Sequence, residues 1–189
     1  MSPARVAIAC ALAASVAGCA LVRKMPEVRY YTLALPAASA ARLPVPIQVG
    51  VFTADQPYTT ERIAFRTSPY RLDYYTYHRW AADPRNLLRD AIRDYLEAAA
   101  AGGSDAPLEV EGHIRQLEEI DAPDAWRAAI TLDLKAARGG AVVLERTYGE
   151  TEQAESRNPE AVAAALSRAL RRILERFLSD LAPVCCRSS

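Results

Sequence analysis

Apolar residues recur along the chain with two different periods, and the switches between them divide it into strands and helices. Apolar side chains two residues apart mark a strand with one buried face, and a spacing of three and four marks a helix with one buried stripe. "VRYYTLAL" (residues 28–35) is rich in β-forming residues and predicts a first strand. "IQVGVF" (47–52) predicts a second, in which Ile47, Val49 and Val51 alternate with Gln48, Gly50 and Phe52. Gly50 is its expected point of close backbone approach. "RIAFRT" (62–67) and "YRLDYYTY" (70–77) read as a hairpin about the turn pair Ser68-Pro69. A helix follows, with Asp83 as its N-cap and Pro84 in the first turn, where a missing N–H costs nothing. Leu87, Leu88, Ala91, Ile92, Tyr95 and Leu96 form its apolar stripe, and Gly102-Gly103 are its expected stop.

The next region reads as a β-meander. In "PLEVEGHIRQL" (107–117), Leu108, Val110 and Ile114 oppose Glu109, Glu111, His113 and Arg115. In "AWRAAITLDLKA" (125–136), Trp126, Ala128, Ile130, Leu132 and Leu134 alternate with polar residues. "AVVLERTYGETEQ" (141–153) follows the turn Gly139-Gly140, but Arg146 falls in phase with Val142, Leu144 and Tyr148. A last helix starts at the cap Asn158 with Pro159 in its first turn. Its stripe is Val162, Leu166, Ala169, Leu170, Ile173, Leu174, Phe177, Leu178 and Leu181. Arg168, Arg171, Arg172, Glu175 and Arg176 are read as its solvated side. These elements predict an α+β fold: two layers, a mainly antiparallel sheet with two amphipathic helices on one face and water on the other.

Charge and chemistry narrow the function. Lys and Arg total 23 and Asp and Glu total 23, so nothing in the balance favours nucleic acid. The only histidines, His78 and His113, have no Cys or second His at ligand spacing, so no metal site is expected. His113, among glutamates on a wet face, reads as a solvated imidazole. There is no G-x-S-x-G elbow and no phosphate-binding G-x-x-x-x-G-K-[ST] loop. Glu118, Glu119, Asp121 and Asp124 offer a carboxylate pair in principle but read better as a charged loop. No enzyme and no cofactor are expected. The aromatic stretch does carry candidates: Tyr74, Tyr75, Tyr77 and Trp80 fit a partner-binding face, since such residues are enriched in interfaces, and they fit a strand core equally well.

The N-terminus supplies a further signal. Val6 to Gly18 carry no charge, a run of about 13 residues or roughly 20 Å as a helix. That is short for a membrane span, which needs about 20, and suits the h-region of a secretory signal. The run ends in "VAGC", which resembles the bacterial lipobox. The resemblance implies a signal peptide over 1–18 and covalent lipid on Cys19, the only group attached to the chain. Ala20 stands where an inner-membrane retention signal would place Asp, which favours the outer membrane. Residues 19–27 form the lipidated tether, 28–182 the globular domain and 183–189 a flexible tail containing Cys185 and Cys186. These two are adjacent, so they can bridge to each other only through a strained ring; pairing between chains is the other option in an oxidising compartment.

In order, "YYTL" (30–33), "IQVGVF" (47–52), "ERIAFRTSPYRLDYYTYHRWAADPRNLLRDAI" (61–92), "LEVEGHIRQLEEI" (108–120), a meander and an alanine-rich closing helix resemble the ABC-type transport auxiliary lipoproteins, the PqiC/YmbA-like group. The resemblance implies a lipoprotein on the periplasmic face of the outer membrane. It implies partners too: an ABC permease and its ATPase, and an MCE-domain protein that bridges the envelope, together moving lipid or other apolar compounds. A homo-oligomer is compatible with the sequence. The alternative is a lipoprotein that assists assembly of an outer-membrane machine, of pilot or barrel-assembly type.

Overall fold

The computed structural model describes residues 26–36, 43–100 and 106–185, the Cys185 side chain excepted. The expected signal peptide, Cys19, most of the tether, Gly102-Gly103 and Cys186 lie outside the described residues. Seven strands form one sheet: β1 (Arg29–Tyr31), β2 (Ile47–Ala54), β3 (Arg62–Ser68), β4 (Arg71–Trp80), β5 (Leu108–Asp121), β6 (Trp126–Arg138) and β7 (Ala141–Gln153). Among the described residues two helices, α1 (Pro84–Ala99) and α2 (Pro159–Cys185), complete the α+β fold, and a 3-10 turn, Gln56–Tyr58, joins β2 to β3.

The sheet is mixed and mostly antiparallel, in the order β1-β4-β3-β5-β6-β7. The long strand β5 organises it. On one side β6 pairs antiparallel along its length. On the other side β2 runs parallel to its first half, from Ile47 beside Leu108 to Ala54 beside Ile114, and β3 runs parallel to its far end, from Ala64 beside Glu118. The 3-10 turn lies between these two ladders and carries the chain from one to the other.

Both helices are capped as their sequences predict. Asp83 accepts from the Arg85 N–H at 2.9 Å, and Asn158 Oδ1 accepts from the Ala161 N–H at 2.9 Å. All nine residues of the predicted α2 stripe are buried. The helix runs through Pro183 to Cys185, so its end takes in the start of the segment expected to be a flexible tail. At its other end, α1 closes on the Leu43 N–H, which donates to the Ala99 carbonyl at 2.9 Å.

Glycine is required at two places. Gly139 and Gly140 have φ of +56° and +82°, the pair of left-handed residues that a two-residue β6–β7 turn needs. Gly112 lies under the Phe52 ring: a Cβ there would sit 2.2 Å from Phe52 Cε1. The close approach is therefore at Gly112, and at Gly50, where it was expected, a Cβ would meet only an ordinary contact at 3.5 Å.

Bulges interrupt several of the ladders, and two of them break the alternation of β5 and β7. One, between Ile114 and Gln116 of β5, shifts the phase so that Leu117 and Glu119 follow Ile114 on the helix-covered face. Another, at Val143 of β7, separates Val142, which is 52% exposed, from the face that holds Arg146. Arg146 stays in phase with Leu144 and Tyr148, and it is accommodated there because it faces α2 and donates to Asp180 at 2.7 Å. Along this boundary the helix presents Arg168, Arg172, Arg176 and Asp180 at four-residue spacing. They meet Glu155, Glu152, Glu150 and Arg146 respectively. The arginines expected on a solvated side thus include three that tie α2 to β7 and its following turn. Arg168 and Arg176 also donate to the Gln153 and Gly149 carbonyls of this edge strand, which blunts it against further pairing.

Candidate functional site

The aromatic strand β4 and the far end of β5 together hold most of the candidate residues. β4 begins as the partner of β3, with Tyr74 beside Ala64, and ends as the partner of β1, with Trp80 beside Tyr31. Between Tyr74 and Arg79 it carries residues 75–78 against a single residue, Ile63, on β3. Arg62 fills this wide bulge: its guanidinium donates to the Tyr74 carbonyl at 3.1 Å and the Tyr75 carbonyl at 3.2 Å. It also lies over the Tyr74 ring, 5.1 Å from the centroid. The hairpin turns at Pro69-Tyr70, one residue later than expected, and Tyr70 at its tip is 97% exposed.

The bulge sends the four aromatic candidates to different environments. Trp80 is 1% exposed and belongs to the core, so it is not available as a contact residue. Its backbone N–H donates to the Glu61 carbonyl, and burial of the indole helps anchor β4 under the helices. Tyr75 is partly buried, with its ring 4.8 Å from that of Phe65 and its hydroxyl on Glu119. Tyr74 is partly buried and donates to the Pro57 carbonyl of the 3-10 turn at 3.0 Å. Only Tyr77 of the four is clearly exposed, at 40%, and Tyr30 on the neighbouring strand β1 is exposed at 61%.

Glu118 and Glu119 lie in β5 and are fully buried, not part of a charged loop. Being adjacent in a strand, they point to opposite faces. Glu118 receives two bonds from Arg66, at 2.8 and 3.2 Å, one from the Tyr58 hydroxyl at 2.7 Å and one from the Gln116 amide at 2.8 Å. Burial pushes its carboxyl up, but the Arg66, Gln116 and Tyr58 bonds outweigh this and hold it below its ordinary value. Burial and the same carboxylate push the Tyr58 hydroxyl up. Glu119, on the helix-covered face, has one donor among the described residues, the Tyr75 hydroxyl, at 3.0 and 3.1 Å from its two oxygens. Burial pushes it up to about 7, with the Tyr75 bond opposing and the Asp121 charge adding. The polar chain continues beyond Tyr75. The His78 ring meets Tyr75 edge-on at 5.3 Å, and Nδ1 shares a hydrogen bond of 2.8 Å with the Tyr31 hydroxyl. Burial and the Arg29 charge hold His78 below its ordinary value.

On the sheet face opposite the helices, a cleft of about 360 Å³ is lined by Val51, Thr53, Glu111, His113, Lys135 and Glu145, among others. His113 is bound here, not simply solvated: Nδ1 shares a hydrogen bond of 2.7 Å with Thr53 and Nε2 one of 3.0 Å with Asp55. Lys135 pairs with Glu111, and Asp133 with Arg115 and Thr147. Among the described residues no three His, Cys, Asp or Glu side chains are grouped to hold a metal ion. Among them, too, no helix is long and apolar enough to cross a membrane.

The sequence pattern named Glu118 and Glu119 but placed them in a loop, and it did not point to Arg62 or Tyr58. The one available signal for the carboxylates was the three-residue step from Ile114 to Leu117, which a strand makes only by changing phase.

The fold and this cluster define an α+β module built on a half-covered sheet, with strong polar interactions made between its own strands. A solved structure of a Xanthomonas campestris protein of the DUF330 family has this fold, with a TM-score of 0.70 at 22% identity, covering 82% of this chain and 96% of that one. The structure of an uncharacterized protein gives a TM-score of 0.69 at 13% identity, covering 82% and 99%. No curated protein matches the chain. The family model of the ABC-type transport auxiliary lipoprotein component matches residues 31–176. The chain belongs to that family, the PqiC/YmbA-like group. The family consists of auxiliary components of ABC-type transport systems and is not a known enzyme family.

Proposed function

We propose that this protein is a lipid-anchored docking component of an envelope transport system. Lipid on Cys19 holds it at the periplasmic face of the outer membrane, and an MCE-domain protein that carries lipid or another apolar cargo from an inner-membrane ABC permease docks on its sheet. Family membership supports the link to an ABC-type system. The observation that carries the docking role is the division of the sheet. Both helices cover one face, while the other keeps a cleft and paired polar side chains open to solvent, with Tyr77 and Tyr30 exposed at the β4–β1 end. Exposed aromatic side chains beside a polar surface are the usual composition of a recognition patch.

A photo-crosslinking amino acid at Tyr77, in cells that express the protein at its native level, tests this reading. The expected adduct contains an MCE-domain protein. An adduct with a secretin or a barrel-assembly component would instead identify an assembly factor and overturn the proposal.

A further inference from the structure

The described chain begins beside an open groove. Glu27 and the residues of β1 form one wall, and the first turns of α2 form the other, enclosing a volume of about 610 Å³. The α2 wall is small and bare: Ala163 and Ala164 line it, and Ala164 is exposed. Glu160 stands at its head, where its charge acts on the Tyr31 hydroxyl across the groove. Among the described residues the lining holds two carboxylates, Glu27 and Glu160, and one guanidinium, Arg29, which together carry one negative charge. Arg29 faces Tyr31 and His78.

The chain just before this point is "ALVRKM", residues 20–25. It combines two basic residues, Arg23 and Lys24, with apolar Leu21 and Val22. Its composition complements the groove: cations for Glu27 and Glu160, aliphatic side chains for the alanine shelf. It runs into Glu27, two residues further on, which is part of the wall. A six-residue segment reaches at most about 21 Å extended. The stretch of α2 from Glu160 to Ser167 rises by only about 10 Å, so the segment can lie along it.

We propose that residues 20–25 dock in the groove between β1 and α2, held by Arg23 and Lys24 against Glu160 and Glu27. The consequence rests on the lipid-anchor reading given above. Docked, the tether draws the β1–α2 edge toward the membrane. Released, the eight residues from 20 to 27 extend by up to about 29 Å. A partner or salt that competes for Glu160 would lengthen the reach of the domain.

The test uses the full-length protein in its native membrane, with Cys185→Ser and Cys186→Ser as background. Val22→Cys is combined with Ala164→Cys in one variant and with Thr147→Cys, on the opposite sheet face, in a control. Mild oxidation should join the first pair far faster than the second. Glu27→Lys with Glu160→Lys, both exposed positions, should remove that preference while leaving the melting temperature unchanged. Equal rates for the two pairs, or a preference that survives charge reversal, would overturn the docking. Intact mass of the same samples reports acylation of Cys19 separately. A selective cross-link on unacylated protein keeps the docking and rejects the anchor, and acylated protein without the cross-link does the reverse.

Discussion

Glu118 and Glu119 are neighbours in β5, both with no exposed surface, and their carboxyls are displaced in opposite directions. The strand pleat separates them. Glu118 has three donor side chains, one of them a guanidinium, while Glu119 has a single tyrosine hydroxyl. Equal burial thus costs the second ion much more than the first.

For Glu119 the folded state holds its proton more tightly than the unfolded chain does. Its favourable contribution is complete below the ordinary value of 4.5 and is lost as the pH rises through about 7. Glu119→Gln, neutral at every pH, should therefore gain stability relative to the native chain on going from about pH 4 to pH 8, by on the order of 3 kcal/mol. Urea unfolding across that range measures it. A constant difference between the two proteins would show that Glu119 does not titrate near neutrality.

Glu118 has the opposite sign. Its folded carboxyl lies below the ordinary value, so its contribution is present above 4.5 and is lost as the pH falls through the folded value. Glu118→Gln removes the ionic partner of Arg66 and should destabilise the protein at pH 7 by on the order of 2–4 kcal/mol. The same unfolding series should show this loss shrinking toward low pH.

Gly112→Ala places a methyl group against the Phe52 ring, which is itself 5% exposed and cannot swing outward freely. The expected cost is about 1–3 kcal/mol. In a Phe52→Ala background the same change should cost little, because the clashing atoms are gone. Thermal unfolding of the four proteins in this cycle decides the matter.

The facing charges of α2 and β7 predict a rescue. Arg172→Glu opposes Glu152, whose side chain is 13% exposed, and should cost about 1 kcal/mol. Exchanging the pair, with Arg172→Glu and Glu152→Arg together, should recover most of it. Denaturant midpoints for the singles and the double give the coupling directly.

Periodicity and capping residues were sufficient to locate most of the strands and both helices, because each element buries one face and leaves the other wet. Asp83-Pro84 and Asn158-Pro159 placed the helix starts to the residue. The pattern was least informative where a strand changes phase. The β5 bulge carried the strand on to Asp121 and buried two glutamates that alternation alone assigned to a loop. The wide bulge in β4 separated Trp80, in the core, from Tyr77, in solvent. Composition cannot make that distinction, since both residues suit a core and an interface alike. Gly112 was unreadable for a related reason: the ring that requires it comes from Phe52, on another strand.

The proposed docking role requires that Cys19 attach this domain to a membrane. Intact mass and N-terminal analysis of the native protein, extracted from cell envelopes, tests this most directly. The expected result is a chain that starts at Cys19 and carries acyl groups. A native chain that starts at Met1, carries no lipid and is recovered in the cytosol would contradict it.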